Sequence, residues 1–378
     1  MNKNERLTKI LLITLLALMT LPLVCHFVPS SKGPALFGIN TEEFSWSQFT
    51  LNKMRSHKTQ DLLESQAKQS VGFCNHAVRF HNELNYRLFH YSSAPKLILG
   101  RDDYFYENIY IDEYTGKDFV GTRTIRDNVQ QLKTAQALLE QKGIHLLLVI
   151  EPSKAWHLPE HLPSAYHKGE NTNYETYRTE LQKQQVDFLD LNRIFIERKS
   201  STKYPLYSKH GIHWSTYGMW IAADTLQHFI ERQAHLTLPK IKHVGDSISS
   251  FNKDLDYDLE PPMNLMRELP HEKLCFPIMD FEKSNSKKAR ALFIADSYVW
   301  SLWDHGVLHH WFDYPQFWYY YNTVYPNIWG PNADLVDKEK VADTVFQQDV
   351  IVLMITTANL KDFGWTSIND FLYICGRK

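Results

Sequence analysis

Cysteine is scarce in this chain, with four in 378 residues: Cys25, Cys74, Cys275 and Cys375. No two stand in C-x-x-C spacing, so the usual zinc-site pattern is absent. The three beyond the N-terminal segment are odd in number, which allows one disulfide and one free thiol, or no disulfide at all. Net charge is also close to nil. The 41 Lys and Arg against 43 Asp and Glu leave a formal −2 and a pI near 6.8. No basic field is available to attract nucleic acid, and no nucleic-acid partner is expected. Internal repeats and low-complexity blocks are missing, which excludes solenoid architectures. Aromatic residues, by contrast, make up 13% of the chain. They serve either as core or as flat faces that stack on sugar rings.

The N-terminus reads as a targeting segment. Lys3, Arg6 and Lys9 precede an apolar run from Ile10 to Val28, interrupted by Thr14, Thr20, Pro22 and His26. A basic flank before an apolar stretch is an export signal. The run lies near the lower limit for a spanning helix, and no Ala-x-Ala-like cleavage site follows it. An uncleaved membrane anchor over residues 1–30, basic end inside, is therefore expected.

Residues 30–60 read as a loose connector, and 61–92 as helical, with Val71, Val78, Leu84 and Leu88 among polar neighbours. Residues 96–114 read as strand, turn, strand. Beyond residue 121, helices and strands alternate. Ile125, Val129, Leu132, Ala135 and Leu139 mark one face of a helix that Gly143 stops. Continuous apolar runs at 144–150, 291–296 and 349–355 have the character of strands covered on both faces, with another strand at 186–191 and helices near 173–184 and 215–233. This order implies an α/β domain with a mostly parallel sheet and helices on both faces. Residues 240–285 are polar and poorly periodic, and read as a long excursion beside the active face.

The chemistry-bearing candidates sit where such strands end. Ser297, in LFIADSYVW, follows an apolar strand, and in open α/β sheets the working groups gather at the carboxyl ends of strands. A Ser at a strand-to-helix turn is either a nucleophile beside backbone N–H donors or a helix cap. His213, in SKHGIHWSTYG, precedes a helix with Ser215 as its cap, and a histidine is the usual base for a serine nucleophile. His210 and His213 lack nearby carboxylates in sequence, so no metal site is expected. Lys154, in IEPSKAWHLP, either touches substrate or caps a helix end. The aromatic stretch 300–322 after Ser297 divides between core and site lining.

Taken together, these segments resemble the AlgX/AlgJ family of alginate O-acetyltransferases. The resemblance rests on NELNYRLFH with KLILGRDDYFYENIYIDEYTGKDFVG, on LLEQKGIHLLLVIEPSKAWHLPEHLP, on GIHW where the family has Asp-x-His-Trp, on IADSY where it has Gly-Asp-Ser, and on FWYYYN and DVIVLMI. It covers nearly the whole chain after the anchor. It implies an SGNH-hydrolase-like catalytic domain over 96–378, with a connector and helical lead-in over 31–95. It implies Ser297 as nucleophile and His213 as catalytic base. Lys154, Trp214, Tyr298, Tyr320 and Asn322 are the implied substrate contacts. It further implies a periplasmic, inner-membrane-anchored O-acetyltransferase that needs no cofactor. The acetyl group would come from a multi-spanning membrane acyltransferase and pass to a polysaccharide hydroxyl.

Two departures from the family pattern bear on this reading. Gly211 occupies the position of the motif Asp, and Ala295 that of the Gly before Asp-Ser. A backbone carbonyl, or an acid from elsewhere such as the Asp- and Glu-rich 240–285 segment, must then orient His213. The rival readings are an esterase using the same residues, and a catalytically weak polysaccharide-binding or assembly protein.

Overall fold

The computed structural model describes residues 3–27, 33–38, 60, 64, 74–251, 255–283 and 287–376. Two compact units divide the chain: residues 1–95 with 260–270, and residues 96–259 with 271–378.

In the first unit a helix runs Lys3–His26 and another Cys74–Phe89. Most of the expected connector at 30–60, and most of 61–73, lies outside the described residues. Along the N-terminal helix, Ile10, Leu11, Leu12 and Ile13 are all exposed, so its apolar residues form no single stripe. Among the described residues, no helix is long and apolar enough to cross a membrane. The spanning anchor is therefore not what the described helix provides. Asn4, Glu5, Arg6 and Lys9 occupy its first turns.

The second unit begins with a short antiparallel pair, β1 (Leu97–Leu99) and β2 (Phe105–Glu107). The expected second strand ends early. Residues Asn108–Thr115 are a helix, with Tyr110 and Ile111 buried and Gly116, at a φ of 74°, closing it in the left-handed region. Tyr110 and Tyr114 stand four apart, a helical spacing that aromatic alternation in sequence disguises.

The remaining strands are β3 (His145–Glu151), β4 (Phe188–Asp190), β5 (Ile241–Ser249), β6 (Leu274–Phe281), β7 (Ala291–Ala295), β8 (Gln316–Tyr319), β9 (Thr323–Val324) and β10 (Val350–Thr356). Six of them form one sheet in the order β4-β3-β10-β7-β8-β9. All its neighbours are parallel except β8 and β9, so the sheet is mixed. Alternate residues of the central strands feed two cores. Leu147, Val149, Phe293 and Val352 pack with the helices Leu191–Arg198 and Thr216–Gln233. Leu148, Ile150, Ile294 and Leu353 pack with Thr122–Glu140 and Asn173–Lys183. Helices thus cover both faces, which is why the central strands read as unbroken apolar runs. The five apolar positions of Thr122–Glu140 expected to face inward are all buried.

The 240–285 excursion is more ordered than its sequence suggests. β5 and β6 pair along their length as an antiparallel ribbon, with a register shift between His243 and Gly245. Both strands mix exposed polar and apolar residues, so neither carries a clear period.

Candidate active site

β7 ends at Ala295, and the chain turns through Asp296 and Ser297 into the short helix Val299–Asp304. The turn is fastened by Asp296, which is wholly buried. Its Oδ2 accepts hydrogen bonds from the Thr356 N–H (2.9 Å), the Thr356 hydroxyl (2.8 Å) and the Asn359 amide (2.8 Å). Its Oδ1 accepts from the Tyr298 N–H at 3.2 Å. Thr356 closes the neighbouring strand β10, so Asp296 ties the two strand ends together and leaves the Ser297 side chain partly exposed.

His213 lies in the loop before the helix Thr216–Gln233, whose cap is Ser215; its hydroxyl accepts from the Gly218 N–H. The His213 Nε2 is 2.7 Å from Ser297 Oγ. Its Nδ1 is 2.6 Å from Oδ2 of Asp258. The other Asp258 oxygen accepts the Ile212 N–H at 2.8 Å, so one carboxylate holds both the imidazole and the backbone before it. Asp258 belongs to the excursion, and sequence reasoning reached that segment without singling out this residue among its many acids.

Gly211 explains how a distant acid enters. A Cβ at Gly211 would lie 2.5 Å from Ser208 Oγ and 2.6 Å from the Asp256 carbonyl oxygen. The absence of a side chain lets residues 256–258 pass against the 208–211 turn. Ser208 donates to the Asp256 carbonyl, and its Oγ accepts the Gly211 N–H at 2.9 Å. The glycine at 211 and the entry of Asp258 thus go together.

Five residues expected to contact substrate are placed as follows. Lys154 is buried, and its ammonium donates to the carbonyls of Lys209 (2.6 Å) and Gly211 (2.7 Å). Burial lowers its pKa to about 7, with Asp258 and Glu272 acting in the other direction. It braces the His213 loop from behind and offers no surface to a ligand. Trp214 is buried too, its indole N–H bonded to Ser301 Oγ at 2.8 Å. Tyr298 is fully buried, donating to the Ile212 carbonyl at 2.9 Å, with its ring centroid 4.9 Å from that of His213. In this structure the polar atoms of all three are bonded to the protein around the His213 loop. Tyr320 is half-buried, with a left-handed φ of 50°, and its N–H donates to the Ala295 carbonyl at 2.8 Å. Asn322 is exposed in the turn between β8 and β9, where its N–H donates to the Tyr319 carbonyl.

Two buried acids lie deeper. Burial pushes the Glu113 carboxyl up to about 8. Burial first, and then the charge of Asp296, push Glu151 well above the ordinary carboxylate range. Cys74, Cys275 and Cys375 are free thiols.

A serine, a histidine and an aspartate in hydrogen-bonded series at the carboxyl edge of this sheet have the arrangement that activates a serine hydroxyl. Sheet, helices and site together define an SGNH-hydrolase-like domain. Residues 97–256 match the family model described as ALGX, SGNH hydrolase-like domain, acetyltransferase AlgX. Over 157 residues the chain is 26% identical to the probable alginate O-acetylase AlgJ of Pseudomonas aeruginosa, covering 40% of this chain and 37% of that protein. The match thus spans little more than a third of that relative's length. The O-acetyltransferase domain of Pseudomonas putida AlgJ superposes with a TM-score of 0.51 at 17% identity, covering 75% of this chain and all of that one. Pseudomonas aeruginosa AlgX gives a TM-score of 0.46 at 11% identity, over 72% of this chain and 67% of that one. Over residues 97–256 the chain is thus similar to the AlgX/AlgJ acetyltransferases.

Proposed function

We propose that the chain is a serine-dependent O-acetyltransferase that acetylates a polysaccharide outside the cytoplasm. The observation that carries this reading is the continuous hydrogen-bonded series Asp258, His213, Ser297, at 2.6 and 2.7 Å. Asp258 holds the Nδ1 proton, which leaves Nε2 free to accept the Ser297 proton. Ser297 Oγ attacks the donor's acetyl carbonyl, backbone N–H groups of its turn stabilise the oxyanion, and His213 returns the proton to the leaving group. A sugar hydroxyl then attacks the acetyl-serine, His213 takes its proton, and Ser297 is restored with the acetyl now on the sugar.

The relative named as a probable alginate O-acetylase supports a polysaccharide acceptor. Lys3, Arg6 and Lys9 before an apolar helix support export to the periplasm, and a multi-spanning membrane acyltransferase is the proposed donor. The test is mass spectrometry after incubation with an activated acetyl ester. An acetyl on the Ser297 peptide, absent from Ser297→Ala, is expected, followed by its transfer to an added oligosaccharide. A protein that stays unmodified while retaining sugar affinity would instead be a binding or assembly protein.

A further inference from the structure

An aromatic wall rises beside the triad, packed against the core at its inner end and open to solvent at its outer end. The Trp300 ring lies 6.0 Å from that of His213. Tyr319 stands 5.3 Å and Tyr325 6.2 Å from Trp300, centroid to centroid. Trp329 extends this wall outward, 6.4 Å from Trp300 and 6.1 Å from Tyr319, with 68% of its surface exposed. The first three are half-buried, so the wall grades from the catalytic base to open solvent. An exposed tryptophan packed edge-on against two supporting rings keeps one broad apolar face outward at little entropic cost.

The charges around this wall are acidic. Glu107, half-buried at the end of β2, acts on Tyr319 and on the His213–Asp258 pair. Asp304 is exposed and accepts the Tyr325 hydroxyl proton at 2.9 Å. Lys96 is a nearby cation, and its charge acts on Glu107 and offsets it.

We propose that Trp329, backed by Trp300, Tyr319 and Tyr325, is the acceptor subsite, and that it takes an uncharged sugar ring in preference to a uronate. Trp329 lies 6.4 Å from Trp300, which lies 6.0 Å from His213, so a sugar chain stacked on Trp329 needs only a few units to reach the base. A uronate carboxylate there would meet charge of its own sign, because Asp304 is bonded to the Tyr325 hydroxyl of the same wall. This inference rests on the acetyl-transfer reading for its biological meaning, but its binding step stands apart from the chemistry.

The experiment uses the full chain carrying Ser297→Ala, which cannot be acetylated. Calorimetric titration with a panel of neutral hexose hexasaccharides and their uronate counterparts gives affinities independent of catalysis. At least one neutral oligosaccharide is expected to bind about tenfold tighter than any uronate. Adding Trp329→Ala should weaken it about tenfold, Trp329→Phe by no more than about threefold, and Glu107→Gln should narrow the neutral-over-uronate gap. Uronates binding as tightly as the best neutral sugar, no member of the panel binding, or an unchanged affinity in Trp329→Ala would each overturn the proposal. If the panel binds as expected while wild-type Ser297 never becomes acetylated, the transferase reading fails and the subsite stands.

Discussion

Placing an aspartate at Gly211 would appear to repair the departure from the Asp-x-His-Trp pattern, and the structure argues that it damages the site. The first side-chain atom alone would sit 2.5 Å from Ser208 Oγ, 2.6 Å from the Asp256 carbonyl oxygen and 2.9 Å from its carbon. Ser208 can rotate, but the Asp256 contacts are backbone. The segment must therefore withdraw, and Asp258 lies two residues further on. Overpacking of this kind costs about 1–3 kcal/mol in stability. The catalytic effect should be larger, because His213 and Ile212 would lose their bonds of 2.6 and 2.8 Å to Asp258. In a serine protease, removing the orienting acid costs about 10⁴ in turnover. Gly211→Asp is expected to lose roughly 10² to 10⁴ in acetyl-ester turnover, and Gly211→Ala to lose a comparable amount, since both carry the offending Cβ. The assay is release of the chromophore from an activated acetyl ester, with circular dichroism to confirm folding. Full or raised activity in Gly211→Asp, or its rescue of Asp258→Asn, would refute the claim that Asp258 has taken over the missing acid's place.

Asp258→Asn should keep the fold and lose about three to four orders of magnitude in ester turnover, and Ser297→Ala should abolish acetylation outright. Lys154→Met leaves the Lys209 and Gly211 carbonyls without their buried donor, and is expected to cost about 2–5 kcal/mol, read as a lowered midpoint in thermal or denaturant unfolding, with a drop in turnover as the His213 loop loosens. Glu113 has a folded pKa raised to about 8 from an ordinary 4.5. Below 4.5 both folded and unfolded chains hold its proton and stability is full. Between 4.5 and 8 only the folded state keeps it, so stability falls by up to about 1.4 kcal/mol for each pH unit as pH rises. Glu113→Gln should flatten this decline in denaturant melts between pH 5 and 8, and an unchanged slope would count against the buried-acid reading.

The alternation of apolar runs and amphipathic helices was sufficient to specify a mostly parallel sheet covered on both faces. The reason is local: strands buried on both sides need unbroken apolar sequence, as Leu146–Ile150 and Val350–Ile355 show. Ser297 and His213 were also legible, because each lies at the edge of a strongly patterned element, after β7 and before the helix Thr216–Gln233. Periodicity faded where elements were short or half-exposed. The helix Asn108–Thr115 was hidden in an aromatic run, and the β5–β6 ribbon carries polar residues on much of its surface. The burial of Lys154, Trp214 and Tyr298 was not legible, because a motif position does not say which partner a side chain's polar atom bonds. The third member of the triad belonged to tertiary structure alone. Asp258 is 45 positions from His213 and sits among other acids. Only the close passage of 256–258 over a glycine that tolerates nothing larger decides which of them meets the imidazole.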